Sequence, residues 1–144
     1  MSSENLIAIV PCSGIGKTFG SVSREAAYVV TEDLRHGATR LVALSRLVLG
    51  DAETREMVAS CPAVTIDGCK LACATKMVLE SGGKVLQDLA VLDVYRRYKQ
   101  YKPQGIAELN EGGLQLARVL AQEIACVVDQ ELQDRKIDRE ASHG

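Results

Sequence analysis

The chain has 144 residues, of which 47% are apolar and 25% charged, and its 17 basic and 19 acidic side chains leave a formal net charge of −2. This length and composition suit a single domain spanning 1–144 and exclude a disordered chain, and the small negative charge argues against nucleic acid as a partner. The longest apolar run, Leu41–Leu49, is interrupted by Ser45 and Arg46, which excludes a membrane span there. We therefore expect a cytoplasmic protein with no membrane or nucleic-acid partner, and with reduced thiols.

Short aliphatic runs alternate with segments of helical spacing along most of the chain. The predicted elements are a strand Leu6–Val10, a helix Ser21–Leu34, a strand Arg40–Leu44, a helix Asp51–Ser60, a strand Ala63–Asp67, a helix Lys70–Ser81, a strand within Lys84–Val94 and a helix Gly105–Gln133. This alternation indicates the α/β fold class: a three-layer sandwich with a mostly parallel four-stranded sheet (Rossmann/flavodoxin-like) and a long C-terminal helix. We expect the sheet core and a cysteine site over 5–95, the C-terminal helix over 104–135, and a frayed tail over 136–144.

Three cysteines are predicted to meet at the carboxyl edge of this sheet. Cys12 follows the first strand and Cys69 follows the third, while Cys73 comes four residues after Cys69. On a helix beginning at Lys70, positions four apart would share a face, so two thiolates could bind one zinc ion. We therefore predict a zinc site formed by Cys12, Cys69 and Cys73, with Lys17 beside it as a charge partner.

Several stretches of this chain resemble the DGC-domain family. They are Pro11-Cys12-Ser13-Gly14-Ile15-Gly16-Lys17, the helix start Ser23-Arg24-Glu25-Ala26-Ala27, and Asp67-Gly68-Cys69 followed by Cys73-Ala74-Thr75-Lys76. The resemblance covers roughly residues 5–85 and implies a small zinc-binding protein that chelates the metal through four cysteines. The chain departs from the family pattern after the second strand, where many members have a further cysteine and this chain has Leu44-Ser45-Arg46-Leu47.

The other two cysteines are expected to lie outside the site. Cys61 precedes the strand that Cys69 follows, so the length of that strand would put it at the opposite edge of the sheet. Cys126 is expected to pack at the margin of the apolar face of the C-terminal helix. With three thiolates, the fourth zinc position would be open to water, a substrate or another side chain.

Gly14, Gly16 and Lys17 are candidate cofactor-binding residues. Gly16-Lys17-Thr18 matches the end of a phosphate-binding loop, and Asp67 resembles the acid on its magnesium side. A degenerate nucleotide-binding loop is disfavoured, since Pro11 occupies the position of its first glycine and Gly20 should delay the helix. The glycines could instead direct backbone N–H groups at an anion or at the cysteine sulfurs, or simply form a tight turn.

The same cysteines allow other functions. Three thiolates suit an iron–sulfur cluster with one open iron, and Cys69 with Cys73 could form a thiol/disulfide redox pair. A non-enzymatic interaction module is a further alternative, and the partner would be an unknown protein or a small molecule. The apolar face of the C-terminal helix could lie on the sheet or form a homodimer surface.

Tyr95, Tyr98 and Tyr101 are interleaved with basic residues over 96–102. Such a stretch can bind single-stranded nucleic acid, but we expect a solvated link whose rings cover the edge of the core.

Overall fold

The structure is a computed structural model that describes residues 6–12, 18–68, 72–105 and 108–143, with the side chains of residues 142 and 143 outside the description. The elements in chain order are β1 Ile7–Pro11, α1 Thr18–Val29 continued by a π-helical turn Val30–Leu34, β2 Thr39–Leu41, α2 Leu44–Leu49, α3 Ala52–Ser60, β3 Ala63–Asp67, α4 Cys73–Glu80, β4 Val85–Ala90, α5 Val91–Arg97 and α6 Glu111–His143. The predicted α/β class and the long C-terminal helix are confirmed.

The four strands form one all-parallel sheet in the order β2-β1-β3-β4. β1 pairs with β3 from Ala8 opposite Ala63 to Pro11 opposite Ile66. The chain leaves β1 towards β2 on one side and returns to β3 on the other, so the strand order reverses between the carboxyl ends of β1 and β3. In open α/β sheets this reversal point is where ligands bind.

Aliphatic side chains alternate between the two faces of the central strands. Ile7, Ile9, Val64 and Ile66 pack into one cluster with α1, α5 and α6, including Leu116 and other apolar residues of α6. Ala8, Val10 and Ala63 face a second cluster formed with α2, α3 and α4. Because side chains of a strand point alternately to its two faces, both faces of these short strands are buried and helices cover each. The apolar face of α6 thus lies on the sheet cluster within the chain, rather than being left exposed.

Helix α1 starts at Thr18, three residues before the predicted start at Ser21. Gly20 does not delay the helix, and it lies buried in the first turn. The reason is tertiary: the backbone at Phe19 and Gly20 packs closely against Gly68, and this contact outweighs the low helix propensity of glycine.

Two predicted boundaries are wrong near the second strand and the fourth helix. The apolar run after Arg40 forms only the end of β2 and then a separate helix, α2, which buries Leu44 and Leu47. Short apolar runs do not distinguish a strand from a buried helix, which explains the error. The helix expected from Lys70 begins at Cys73, preceded by Ala72 in the left-handed conformation with φ 52°.

Only the start of the stretch predicted as a solvated link, up to Arg97, belongs to a helix, α5, and the rest follows that helix without regular structure. The tyrosine rings pack as expected. Tyr95, Tyr98 and Tyr101 are partly buried against the core, and the Tyr95 ring lies 5.8 Å from that of Phe19 on α1. Since α5 follows β4 directly, this contact holds it at the carboxyl edge of the sheet.

Helix α6 extends past its predicted end at 135 to His143. Arg35, in the turn before β2, forms a two-pronged ion pair with Asp129, with both N–O distances at 2.7 Å. This hydrogen bonding raises the pKa of Arg35 and lowers the pKa of Asp129. Within the described ranges, no helix is both long enough and apolar enough to cross a bilayer.

Candidate metal centre at the carboxyl edge

The structure describes two of the three predicted zinc ligands. Cys12 directly follows β1 and is buried, and Cys73 is the first residue of α4 and is half-buried. Cys69 lies outside the described residues, as do Gly14, Gly16 and Lys17. The meeting of the three sulfurs therefore remains a prediction.

The backbone of Cys12 is held on two sides. Its N–H donates to the carbonyl of Ile66 on β3 at 2.7 Å, which continues the pairing of the two strands past Pro11. Its carbonyl lies 3.2 Å from the hydroxyl of Ser23, a fully buried residue of α1 whose hydroxyl also lies 2.7 Å from the Gly20 carbonyl. Cys12 is thus fixed between β3 and α1 at the end of its strand.

The position of Cys73 depends on Asp67, the last residue of β3. Asp67 is buried, and one of its carboxylate oxygens accepts a 2.9 Å hydrogen bond from the N–H of Ala74. The other oxygen accepts a 2.8 Å hydrogen bond from the hydroxyl of Thr75, which also lies 2.7 Å from the hydroxyl of Thr65. These contacts attach the first turn of α4 to the end of β3, so Cys73 starts its helix beside the strand that Cys12 pairs with.

This arrangement corrects the geometry predicted for Cys69 and Cys73. Because α4 begins at Cys73 and Ala72 is left-handed, the two cysteines do not share a face of one helix. The N–H of Ala74 donates a hydrogen bond to Asp67. This donor in the first turn of α4 therefore points at a carboxylate and not at a sulfur. Any approach of Cys69 to Cys73 depends on residues 69–71, which lie outside the described residues.

Gly68 allows the end of β3 to approach α1. A β-carbon on Gly68 would lie 3.1 Å from the backbone nitrogen of Gly20 and 3.1 Å from the carbonyl carbon of Phe19. These atoms belong to backbone, which cannot rotate away as a flexible side chain can. A methyl group at residue 68 would push the backbone of α1 away by a few tenths of an ångström, so glycine favours this packing, which joins β3 to the helix that follows Cys12.

The remaining cysteines occupy other places. Cys61 is buried in the cluster under α2, α3 and α4, and it precedes β3, so it lies at the amino edge as predicted. Cys126 is exposed on α6, so its predicted packing role is wrong. Across the part of the chain that the structure describes, no three His, Cys, Asp or Glu side chains come together as a metal site.

A small cavity opens beside Cys12. Its volume is about 150 Å³, and the described residues that line it are Pro11, Cys12, Arg24, Tyr28, Leu41, Val42, Ala43, Leu44 and Ser45. The segment after β2, where many members of the family have a cysteine, therefore borders the same space as Cys12. In this chain the residues there are Ala43, Leu44 and Ser45.

The anchoring roles of Asp67 and Ser23 were not predicted from the sequence. An N-cap is recognised from a side chain at the residue just before a helix, whereas Asp67 lies well before Cys73 and residue 72 is alanine. Ser23 contacts the carbonyl of Cys12, eleven residues earlier in the chain, and no local pattern predicts such a contact. The pairing of both oxygens of Asp67 also weakens its interpretation as the acid of a nucleotide-binding loop.

The comparisons with known proteins agree with the motifs at this edge. The model of the DGC domain matches residues 8–112, which extends from β1 into the first turn of α6 and contains Cys12, Asp67, Gly68 and Cys73. Neither the curated proteins nor the solved structures contain a match to the chain. Since the family model matches well over half of the chain, this protein belongs to the DGC-domain family.

Proposed function

We propose that the protein binds zinc through the thiolates of Cys12, Cys69 and Cys73 at the carboxyl edge of the sheet. The observation that carries the proposal is the arrangement of the two described cysteines around the end of β3. Cys12 is bonded to Ile66, and Cys73 precedes the residue that is bonded to Asp67. The backbone of Cys12 and the start of α4 at Cys73 thus lie beside consecutive residues of one strand, and Cys69 follows that strand by two residues in the sequence.

The chemistry of the donor set fits the metal. Zinc prefers cysteine thiolates and tolerates three protein ligands with an open fourth position. In such a site the metal supplies a Lewis acid that can polarise a bound oxygen or hold an incoming thiol. The chain's own contribution is to hold the ligands: Ser23 and Ile66 fix Cys12, and Asp67 fixes the start of α4.

The site also requires compensation of charge, because three thiolates on one zinc ion leave a net negative charge. Lys76 is exposed on α4, three residues after Cys73, and Arg24 lies on α1 beside the cavity that Cys12 lines. These cations, with Lys17 and Lys70 in the sequence, would offset the negative charge of a zinc ion bound by three thiolates.

The test is the metal content of the reduced protein, purified without a chelator, together with single-cysteine variants. We expect about one zinc per chain for the wild type and less than about a fifth of that after Cys69→Ser or Cys73→Ser. Cys126→Ser is the matched control, because this cysteine is exposed on α6, and its zinc content should equal that of the wild type. Less than about a tenth of an equivalent, with no uptake when zinc is added to the reduced apoprotein, would refute the proposal.

The same samples distinguish the alternatives that use these cysteines. A brown protein that contains iron and sulfide would indicate an iron–sulfur cluster. Metal-free protein in which Cys69 and Cys73 react rapidly with a thiol reagent, and form a disulfide on mild oxidation, would indicate a redox pair. Metal-free protein that stays folded when all of its cysteines are replaced would indicate a non-enzymatic interaction module.

A further inference from the structure

We propose that Thr75 and Thr65 are positioning residues of the metal centre, which set the orientation of α4 and with it the direction of Cys73. This inference rests on the proposed zinc binding and concerns residues other than the zinc ligands. The observation that carries it is the place of one hydroxyl group. The Thr75 hydroxyl lies 2.7 Å from the hydroxyl of Thr65 and 2.8 Å from a carboxylate oxygen of Asp67.

The order of donors in this network follows from the chemistry of its groups. A carboxylate only accepts hydrogen bonds, so the hydroxyl hydrogen of Thr75 points at Asp67. A hydroxyl has a single hydrogen, which leaves the Thr75 oxygen as the acceptor towards Thr65. The Thr65 hydroxyl therefore donates to Thr75, and Thr75 donates to Asp67. In such a chain the bonds polarise one another and are mutually strengthened.

The network lies at the end of β3, where two of its members are buried. Thr65 is fully buried and Asp67 nearly so, whereas Thr75 is half-buried on α4. Side chains two residues apart on a strand point to the same face, so Thr65 and Asp67 hold the Thr75 hydroxyl at two points. A buried polar group that loses its partner is destabilised, so the fold favours the orientation of α4 that keeps these bonds.

These bonds set the rotation of α4 about its own axis. The two carboxylate oxygens of Asp67 bond to consecutive residues of α4, through the N–H of Ala74 and the hydroxyl of Thr75. Cys73 is the residue just before them. Positions two apart on an α-helix differ by about 200°, so Thr75 and Cys73 lie on opposite flanks of α4. A rotation that breaks the bonds of Thr75 therefore also moves the sulfur of Cys73.

The geometric tolerance of a metal site shows how much such a rotation matters. An atom about 5 Å from the helix axis moves by about 0.9 Å when the helix rotates by about 10°. Zinc–sulfur distances vary by only about 0.2 Å around a value of about 2.3 Å. A small rotation thus displaces the Cys73 sulfur by more than a zinc site tolerates. Replacement of residues that orient metal ligands typically lowers metal affinity by about 10- to 100-fold.

The experiment measures zinc affinity by competition with a chelator, together with the visible spectrum of the cobalt-substituted protein. Thr75→Val keeps the shape of the side chain and removes the hydroxyl, so we expect at least about tenfold weaker zinc binding and a changed cobalt spectrum. Thr75→Ser keeps the hydroxyl and should return zinc affinity to within about threefold of the wild type. Thr65→Val leaves both bonds to Asp67 in place and should weaken zinc binding by about threefold or more.

Thr31→Val is the matched control for a general loss of stability. The Thr31 hydroxyl is also buried, but it bonds to the carbonyl of Ala27 in its own helix, on α1 and its π-helical turn. Its removal should lower the melting temperature, whereas zinc affinity should change by less than about twofold. The comparison therefore separates the positioning of Cys73 from the loss of one buried hydrogen bond.

The possible results separate this inference from the proposed function. The inference alone is overturned if the wild type binds zinc and both Thr75→Val and Thr65→Val bind it equally well, with the wild-type cobalt spectrum. It is also overturned if Thr31→Val weakens binding as much as Thr75→Val does, or if Thr75→Ser restores nothing. A wild type that binds neither zinc nor cobalt overturns the proposed function and this inference with it. If Thr75→Val does not fold, zinc affinity and the cobalt spectrum of Thr65→Val decide the outcome.

Discussion

Asp67 is expected to contribute more to stability than any exposed acid of the chain, and Asp67→Ala tests this. The substitution removes the acceptor of the Ala74 N–H and of the Thr75 hydroxyl, both of which bond to a buried carboxylate. A hydrogen bond to a charged group contributes about 1.5–3 kcal/mol, and loss of a helix cap costs about 0.5–2 kcal/mol. Thr75 can still bond to Thr65, so we expect a loss of about 3–4 kcal/mol in the free energy of unfolding.

A conservative variant of Asp67 and a control on the neighbouring strand test whether this loss of stability comes from the hydrogen bonds of Asp67. Asp67→Asn retains one acceptor oxygen for the Ala74 N–H, so its loss should be about half that of Asp67→Ala. Asp88 on β4 pairs in register with Thr65 and is exposed, so Asp88→Ala should change stability by less than about 0.5 kcal/mol.

The assay is urea unfolding followed by far-ultraviolet circular dichroism, with amide hydrogen exchange at Ala74 as the local measurement. Exchange at Ala74 should accelerate in both Asp67 variants, since its N–H loses its partner or the charge of that partner. Equal stability of Asp67→Ala and Asp88→Ala, with unchanged exchange at Ala74, would refute the role assigned to Asp67.

Two further predictions concern packing and charge. Gly68→Ala should destabilise the protein by about 1–3 kcal/mol in urea unfolding, because the new methyl group would press on the backbone of Phe19, whereas Gly37→Ala meets no atom within 4 Å and should have little effect. Asp129→Asn should cost about 0.5–1 kcal/mol at neutral pH through loss of the exposed ion pair with Arg35. Since Arg35 lowers the pKa of Asp129 in the folded state, this contribution is present above the unfolded-state pKa of about 3.9 and is lost as the pH falls through the lower folded-state value. A wild-type advantage over Asp129→Asn that persists unchanged in unfolding curves at lower pH would contradict this assignment.

The elements with one clear pattern were predicted well. β3 has the predicted bounds, and Asp51 caps α3 by accepting a 3.0 Å hydrogen bond from the N–H of Thr54. Predictions failed where propensity competes with packing. The contact between Gly20 and Gly68 extends α1 to Thr18, and the short apolar run after Arg40 divides into β2 and α2.

Some features of the candidate site likewise follow from the sequence, and others do not. The position of Cys12 after a strand follows from the sequence, because the aliphatic run that precedes it is short and ends at Pro11. The helix predicted to carry both Cys69 and Cys73 did not follow, since α4 begins only at Cys73, after the left-handed Ala72. The cavity beside Cys12 was not predictable either, because its walls come from β1, α1 and the segment after β2.

The alternation of aliphatic runs with helical spacing by itself determined the parallel α/β sandwich, and the Asp-Gly-Cys string determined the family. The alternation is a local pattern whose physical effect, burial on one or two faces, is independent of distant residues, whereas the string identifies the family by similarity alone. Only the tertiary structure decided three features of the site. Asp67 accepts hydrogen bonds from the first turn of α4, Gly68 allows α1 to pack closely against the end of β3, and Arg24 lines a mostly aliphatic cavity. The packing of Gly68 on α1 and the walls of the cavity join segments far apart in the chain, and they form only when the sheet brings the ends of its strands together. The contacts of Asp67 span seven and eight residues, but they depend on the turn between β3 and α4, which no local pattern describes.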